Sequence, residues 1–170
     1  QSNALPRLES IPLRTPEAAV FVSGVTSMGL EILAGRLIAP EFGSGIYTWG
    51  SIIGVFLVAL SLGYWYGGKR AASRASPLEL ARILAQSALF VAFLLAAGDA
   101  VLQVSDALPL PGRYAPIVPI AILFGPPVFL LGFISPYAAE LSLATSTGGA
   151  SGRVYALGTI GSIVGSFGTT

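Results

Sequence analysis

The chain has 170 residues, of which 54% are hydrophobic and 10% are charged, and its formal net charge is +1. Soluble domains carry about 25% charged residues, so this composition predicts an integral membrane protein, and the balanced charge argues against a nucleic-acid partner. The sequence contains neither Cys nor His, which excludes disulfides, thiol nucleophiles, Ser-His-Asp triads and zinc sites built on thiolate or imidazole.

The apolar runs are continuous and about 20 residues long, the length of a membrane-spanning helix. We therefore predict an all-α integral membrane protein, a polytopic bundle of about five transmembrane helices. The helices are expected at residues 17–38, 47–67, 77–98, 114–143 and 152–170. Residues 1–4, "QSNA", look like the remnant of a cleaved expression tag; residues 5–15 form an N-terminal segment, and residues 16–170 form the transmembrane domain.

The first predicted helix contains the charged motif "GLEILAGR". Glu31 lies about 4 to 5 Å from the helix midpoint, where exposure of a carboxylate to lipid costs several kcal/mol. We expect it to face the bundle, on a stripe of small and polar residues that comprises Gly24, Ser27, Glu31 and Gly35. Arg36 is about 140° around the helix from Glu31, and should reach the outer interface or a carboxylate of another segment.

Glu31 has two interpretations. It is either a structural carboxylate, protonated or hydrogen-bonded between helices, or the binding site of a cation or proton. No second carboxylate is placed on the same face near the membrane centre, so the sequence assigns no catalytic residue and no metal site.

The second and fifth predicted helices carry small residues at spacings that favour close helix packing. These residues are Gly50, Gly54, Ser61 and Gly68 in the second helix, and Gly158, Ser162, Gly165 and Thr169 in the fifth. The second helix ends in "YWYGGKR", which is typical of an interfacial aromatic belt, including Tyr64, followed by a cytoplasmic stop.

The third predicted helix opens with "SPLE". Ser76 is expected as the N-cap, Pro77 as the first helical residue and Glu79 as the reciprocal capping carboxylate. The helix should end near Gly98, and a polar connection should follow from Asp99 to Arg113.

The fourth predicted helix contains "FGPPVFLLGFISP". Pro126, Pro127 and Pro136 remove three backbone donors at membrane depth, so this helix should be kinked or broken. Discontinuous helices of this kind line binding sites in transporters. Near its end, Glu140 is placed to meet Arg153 across the following loop.

Lys and Arg residues set the expected orientation. Those on one side are Arg7, Arg14, Lys69, Arg70, Arg74, Arg82 and Arg153, whereas only Arg36 and Arg113 fall on the other. We expect a multi-pass protein of the plasma membrane with a cytoplasmic N-terminus. The fifth helix is still apolar at Thr170, so the natural chain is expected to continue. Five spans from a cytoplasmic start leave the C-terminus outside, so at least one further span is expected before any cytosolic domain.

Two stretches resemble the membrane-bound spermidine synthase-like proteins. The first is "SGVTSMGLEILAGRLIAPEFGSGIYTWGSIIGVFLVALSLGYWYGGKRA", in which the matching residues are Glu31, Arg36, Gly63, Gly67, Gly68, Lys69 and Arg70. The second comprises "ISPYAAEL" and "SGRVYALGTIGSIVGS", in which the matching residues are Pro136, Arg153, Tyr155, Thr159, Gly161 and Gly165. Gly158 stands where that family usually has Asn.

The resemblance implies a membrane domain that anchors, and supplies substrate to, a cytosolic aminopropyltransferase-like domain outside this chain. That domain would use decarboxylated S-adenosylmethionine and a polyamine, whereas this chain needs no cofactor. The predicted intramembrane polar site comprises Ser27, Glu31, Arg36, Tyr155 and Thr159. Two alternatives stay open: a carrier of a small solute or cation centred on Glu31, and a structural module that forms homo-oligomers in the bilayer.

Overall fold

The computed structural model describes residues 15–107, 109, 111–145 and 149–170. Its helices are α1 (Thr15–Phe42), α2 (Ile46–Arg74), α3 (Pro77–Asp106), α4 (Ile117–Leu123), α5 (Gly125–Thr145) and α6 (Ala150–Thr169). Four contain segments long and apolar enough to cross a membrane, namely Pro16–Phe42, Ile46–Ser73, Pro77–Ser105 and Gly125–Ala144. The predicted all-α membrane bundle is confirmed. The described part of the chain has six helices, four of which contain candidate spans, against about five transmembrane helices expected.

The predicted fourth helix is divided in the structure, since α4 ends at Leu123 and α5 begins at Gly125. Pro126 and Pro127 occupy the first turn of α5, where backbone N–H groups have no partner within the helix and their loss costs little. Pro136 lies inside α5, which continues through it to Thr145.

The third helix is longer than the sequence predicts, because α3 continues beyond Gly98 to Asp106. Leu102 and Ser105 in the added turns are both buried. Burial of this apolar face stabilises as helix a segment that was predicted to be part of a polar connection.

The N-cap of α3 is confirmed, since the Ser76 hydroxyl accepts a hydrogen bond from the backbone N–H of Glu79 at 3.2 Å, and Pro77 follows at the first helical position. The carboxylate of Glu79 has a different role from the predicted one. It binds Arg70 at 3.2 Å and Arg82 at 3.1 Å, and so connects the end of α2 to the start of α3.

Two helix pairs form the closest packing in the bundle, α1 with α6 and α2 with α5. α5 lies at the centre, because it packs against each of the other helices. Both close pairs are parallel. In the first pair, Phe21 and Val25 of α1 contact Gly161 and Gly165 of α6 in the same order along the two helices, and the glycine contacts between α2 and α5 run in the same way. Such close approach is characteristic of small residues at membrane helix interfaces.

The α2–α5 contact depends on Gly63 and Gly67. A Cβ atom on Gly63 would collide with the carbonyl oxygen of Phe129, and one on Gly67 would lie 2.8 Å from the Cα atom of Phe133. The backbones of the two helices therefore touch where these glycines meet α5.

The predicted packing face of α2 is largely wrong. No atom would lie within 4 Å of a Cβ added to Gly50 or Gly54, and Ser61 is exposed. The reason is that α2 carries glycines on more than one face, and α5 packs on the face that contains Gly63 and Gly67. In α6, Gly161 is a contact residue that the predicted set omitted.

Two buried hydroxyls connect α5 to its neighbours. Ser23 of α1 donates to the carbonyl oxygen of Leu131 at 3.2 Å, and Ser87 of α3 donates to that of Pro127 at 3.3 Å. Hydrogen bonds of this kind between membrane helices each contribute about 0.6 kcal/mol. They hold α1 and α3 against the central helix.

Candidate functional site

A cavity of about 530 Å³ lies between α1, α2, α5 and α6. Its volume falls within the range typical of small-molecule sites, about 300 to 1,000 Å³. The residues with polar side chains on its wall are Ser23, Ser27, Glu31, Tyr64, Ser135, Tyr155, Thr159 and Ser162. The cavity is open at one side, where Tyr64 and Tyr155 are exposed, and it is large enough to hold a small polar ligand.

Glu31 is the acidic residue of this wall. It is only partly buried, and it faces the bundle as its position near the middle of α1 requires. Within residues 15–107, 109, 111–145 and 149–170, its carboxylate has no hydrogen bond or ion pair. Both carboxylate oxygens are therefore free to accept hydrogen bonds from a ligand.

The hydroxyl groups of α6 direct their hydrogens away from the cavity. Thr159 donates to the carbonyl oxygen of Tyr155 at 2.9 Å, and Ser162 donates to that of Gly158 at 3.1 Å. On α1, Ser23 is committed in the same way to Leu131. Since these three donors are occupied, their hydroxyl oxygens remain as acceptors, and this part of the wall is suited to a ligand that donates hydrogen bonds.

Two tyrosines complete the wall. Tyr64 comes from α2 and Tyr155 from α6. Aromatic rings attract cations at their faces, and more strongly where water is excluded. With the Glu31 carboxylate, they give the cavity the chemistry of a site for an organic cation.

The chain matches no family model, no curated protein and no solved structure. The described residues contain no group of three or more His, Cys, Asp or Glu side chains that could hold a metal ion.

Four residues of the predicted polar site line this cavity, namely Ser27, Glu31, Tyr155 and Thr159. Arg36 does not; its guanidinium donates to the carbonyl oxygen of Thr170 at 2.6 Å, at the end of α6. The five predicted residues therefore divide into a group around the cavity and one arginine that joins α1 to α6.

The three prolines are also separated. Pro136 lies on the cavity wall, whereas Pro126 lines an apolar groove on another face of the bundle. The carbonyl oxygen of Pro127 accepts the hydrogen bond from Ser87. The break between α4 and α5 thus lies away from Glu31.

Sequence reasoning missed four polar residues of the cavity, namely Ser23, Tyr64, Ser135 and Ser162. Tyr64 was expected in an interfacial belt with Trp65 and Tyr66, but it lies on the cavity wall. The one feature of the sequence that could have indicated this location is that Tyr64 directly follows Gly63. That feature becomes informative only once Gly63 is known to pack on α5.

The expected Glu140–Arg153 pair is wrong. The Nε atom of Arg153 lies 3.6 Å from Oε1 of Glu17, at the start of α1. The reason is the parallel packing of α6 on α1, which brings the first turns of the two helices together. Val20 and Val154, close to this ion pair in sequence, line the adjacent end of the cavity.

Proposed function

We propose that this chain is a membrane-embedded domain that binds a small organic cation between α1, α2, α5 and α6, with Glu31 as its counterion. The observation that carries the proposal is the Glu31 carboxylate, which lines a cavity of about 530 Å³. An amine such as a polyamine could donate hydrogen bonds to this carboxylate and to the hydroxyl oxygens around it. Ionisable residues inside membrane bundles commonly mark such ligand or ion pathways.

A test of this proposal compares two carboxylates of α1. Glu31→Gln preserves the shape of the side chain but removes its negative charge, whereas Glu41→Gln makes the same change at an exposed position outside the cavity. Each protein would be purified and its binding of labelled spermidine measured by equilibrium dialysis. We expect Glu31→Gln to weaken binding at least tenfold, since a charge-assisted hydrogen bond contributes about 1.5 to 3 kcal/mol, and Glu41→Gln to leave it unchanged.

Thermal unfolding of the same variants distinguishes a binding role from a structural one. The proposal requires Glu31→Gln to unfold within a few degrees of the wild type. Collapse of the fold on this substitution would assign Glu31 to structure instead. Equal spermidine binding by all three proteins would end the cation proposal, and uptake into liposomes would separate a carrier from a binding domain.

A second proposal keeps the resemblance to spermidine synthase-like proteins and makes the chain the anchor of a cytosolic transferase. The supporting observation is that Gly63, Gly67 and Pro136, which match that family, meet at the α2–α5 contact. The intact mass of the native gene product tests it. A mass well above 17.4 kDa, by one or two domains of typical size, supports an attached transferase, whereas a mass near that of this chain removes it.

The distribution of cations supports an orientation. Lys69, Arg70, Arg82 and Arg153 lie at the end of the bundle where α1 begins, so by the positive-inside rule we infer that this end is cytoplasmic. We propose the plasma membrane as its location. The chain lacks Cys, so single cysteines can be introduced cleanly. Labelling of Ser73→Cys by an impermeant maleimide in intact cells would contradict this orientation.

A further inference from the structure

A second cavity, of about 440 Å³, lies at the basic end of the bundle, apart from the Glu31 site. It is lined by Tyr66, Lys69 and Arg70 of α2 and by Phe129 and Phe133 of α5. The Nζ atom of Lys69 lies 3.9 Å from the ring centroid of Trp65, and Trp65 and Tyr66 are themselves in ring contact at 4.8 Å. Two cations thus lie beside aromatic rings at the level where a membrane interface is expected.

The junction of α2 and α3 at this end carries uncompensated positive charge. Arg70 and Arg82 share the single carboxylate of Glu79, and Lys69 forms no ion pair within the part of the chain that the structure describes. Two positive charges are therefore left over among these four side chains. A ligand that carries a phosphate would neutralise charge here, and both cations on the cavity wall are exposed enough to reach it.

The basic cavity continues into an apolar groove of about 930 Å³. Phe129 lines both spaces, and the groove then follows Leu62, Val58 and Gly54 along α2. Residues four apart are neighbours on a helix, so a ridge of adjacent side chains winds along α2 from Gly54 through Leu62 to Arg70. From Lys69 to Val58 this ridge extends about 16 Å, close to half of the hydrocarbon thickness of about 30 Å. The groove itself runs on past Gly54 to Ile46 and Arg113.

We propose that this surface binds an anionic phospholipid, with the phosphate at Lys69 and Arg70 and an acyl chain along Phe129, Leu62 and Val58. A charged pocket beside a long apolar groove matches an amphipathic ligand better than it matches a free anion. Basic pockets between transmembrane helices bind lipid head groups by the same electrostatics. This site is independent of Glu31 and of the proposed cation.

The test measures lipid binding to the full chain in detergent by native mass spectrometry. The probes are phosphatidylglycerol, phosphatidylcholine with the same acyl chains, and inorganic phosphate. Lys69→Gln and Arg70→Gln should each weaken phosphatidylglycerol binding about fivefold. The matched control, Arg82→Gln, removes the same charge from a side chain that lines neither space, and should change binding less than twofold.

A separate substitution tests the role of the apolar groove. Val58→Trp should fill the groove and weaken binding of the long-chain lipid at least fivefold, while a short-chain phosphatidylglycerol binds as before. Val58 is 59% exposed, so the substitution is expected to leave the fold intact, and far-ultraviolet circular dichroism checks this.

Three results would overturn the proposal. Equal affinity for phosphatidylglycerol and phosphatidylcholine would show that the cations do not select the head group. Displacement of the lipid by an equal concentration of inorganic phosphate would identify a free-anion site. A dimer that Val58→Trp dissociates, without any bound lipid, would show that a second copy of the chain occupies the groove.

Discussion

The two halves of α2 carry glycines that pack very differently. Gly50 and Gly54 in the first half have open space where a Cβ would be, whereas Gly63 and Gly67 in the second half lie against the backbone of α5. The two pairs have the same spacing and occur in one helix. The difference shows that glycine spacing identifies a face able to pack closely, but not whether another helix occupies it.

The largest expected effect comes from adding a side chain on the packed half. Gly63→Val would force the α2–α5 contact apart at the carbonyl oxygen of Phe129, and should destabilise the fold by about 3 kcal/mol, the upper part of the usual range for overpacking. Unfolding of the purified protein in detergent measures this effect. Gly54→Val is the matched control and should stay within about 0.5 kcal/mol of the wild type; equal losses at both positions would show that α2 packs along its whole length.

The same comparison extends to α6. A Cβ on Gly161 would collide with the carbonyl oxygen of Phe21, whereas Gly168 has no neighbour within 4 Å of such an atom. Gly161→Ala should therefore cost about 1 to 2 kcal/mol, and Gly168→Ala should be neutral or slightly stabilising, since alanine favours a helix more than glycine does. The thermal midpoints of the two single variants test this. A loss at Gly168 as large as that at Gly161 would contradict the assigned α1–α6 contact.

The smallest expected effect concerns hydroxyls that bind another helix rather than their own. Ser23→Ala removes the hydrogen bond to Leu131 of α5 and should cost about 0.6 kcal/mol. Ser166 donates to Ser162 within α6 at 3.0 Å, so Ser166→Ala should change stability very little. Chemical denaturation of both variants gives the difference, which would be absent if Ser23 did not hold α1 against α5.

Part of the candidate site could be predicted from the sequence. An ionisable residue deep in an apolar helix has to avoid lipid, so Glu31 had to face the bundle. Ser27 lies four residues before it and therefore on the same face of the helix. Tyr155 and Thr159 were named from a resemblance, and the structure places them beside Glu31.

Other features of the site depended on contacts between distant segments. Arg153 could have paired with Glu140 or with Glu17, and only the parallel alignment of α1 and α6 brings it to Glu17. Tyr64 could have pointed to the interface or to the interior, and the packing of Gly63 on α5 determines which.

The sequence by itself determined that this protein lies in a lipid bilayer and that its secondary structure is helical. The reason is that long apolar segments with few charges are stable there as helices. It also determined local features such as the Ser76 cap, which depends on residues three positions apart. The tertiary structure decided which glycine face of α2 is packed, how α6 aligns with α1, and which side chains share the cavity with Glu31. Those outcomes depend on the relative positions of helices distant in the chain, and several faces of each helix are apolar enough to be buried in protein or exposed to lipid.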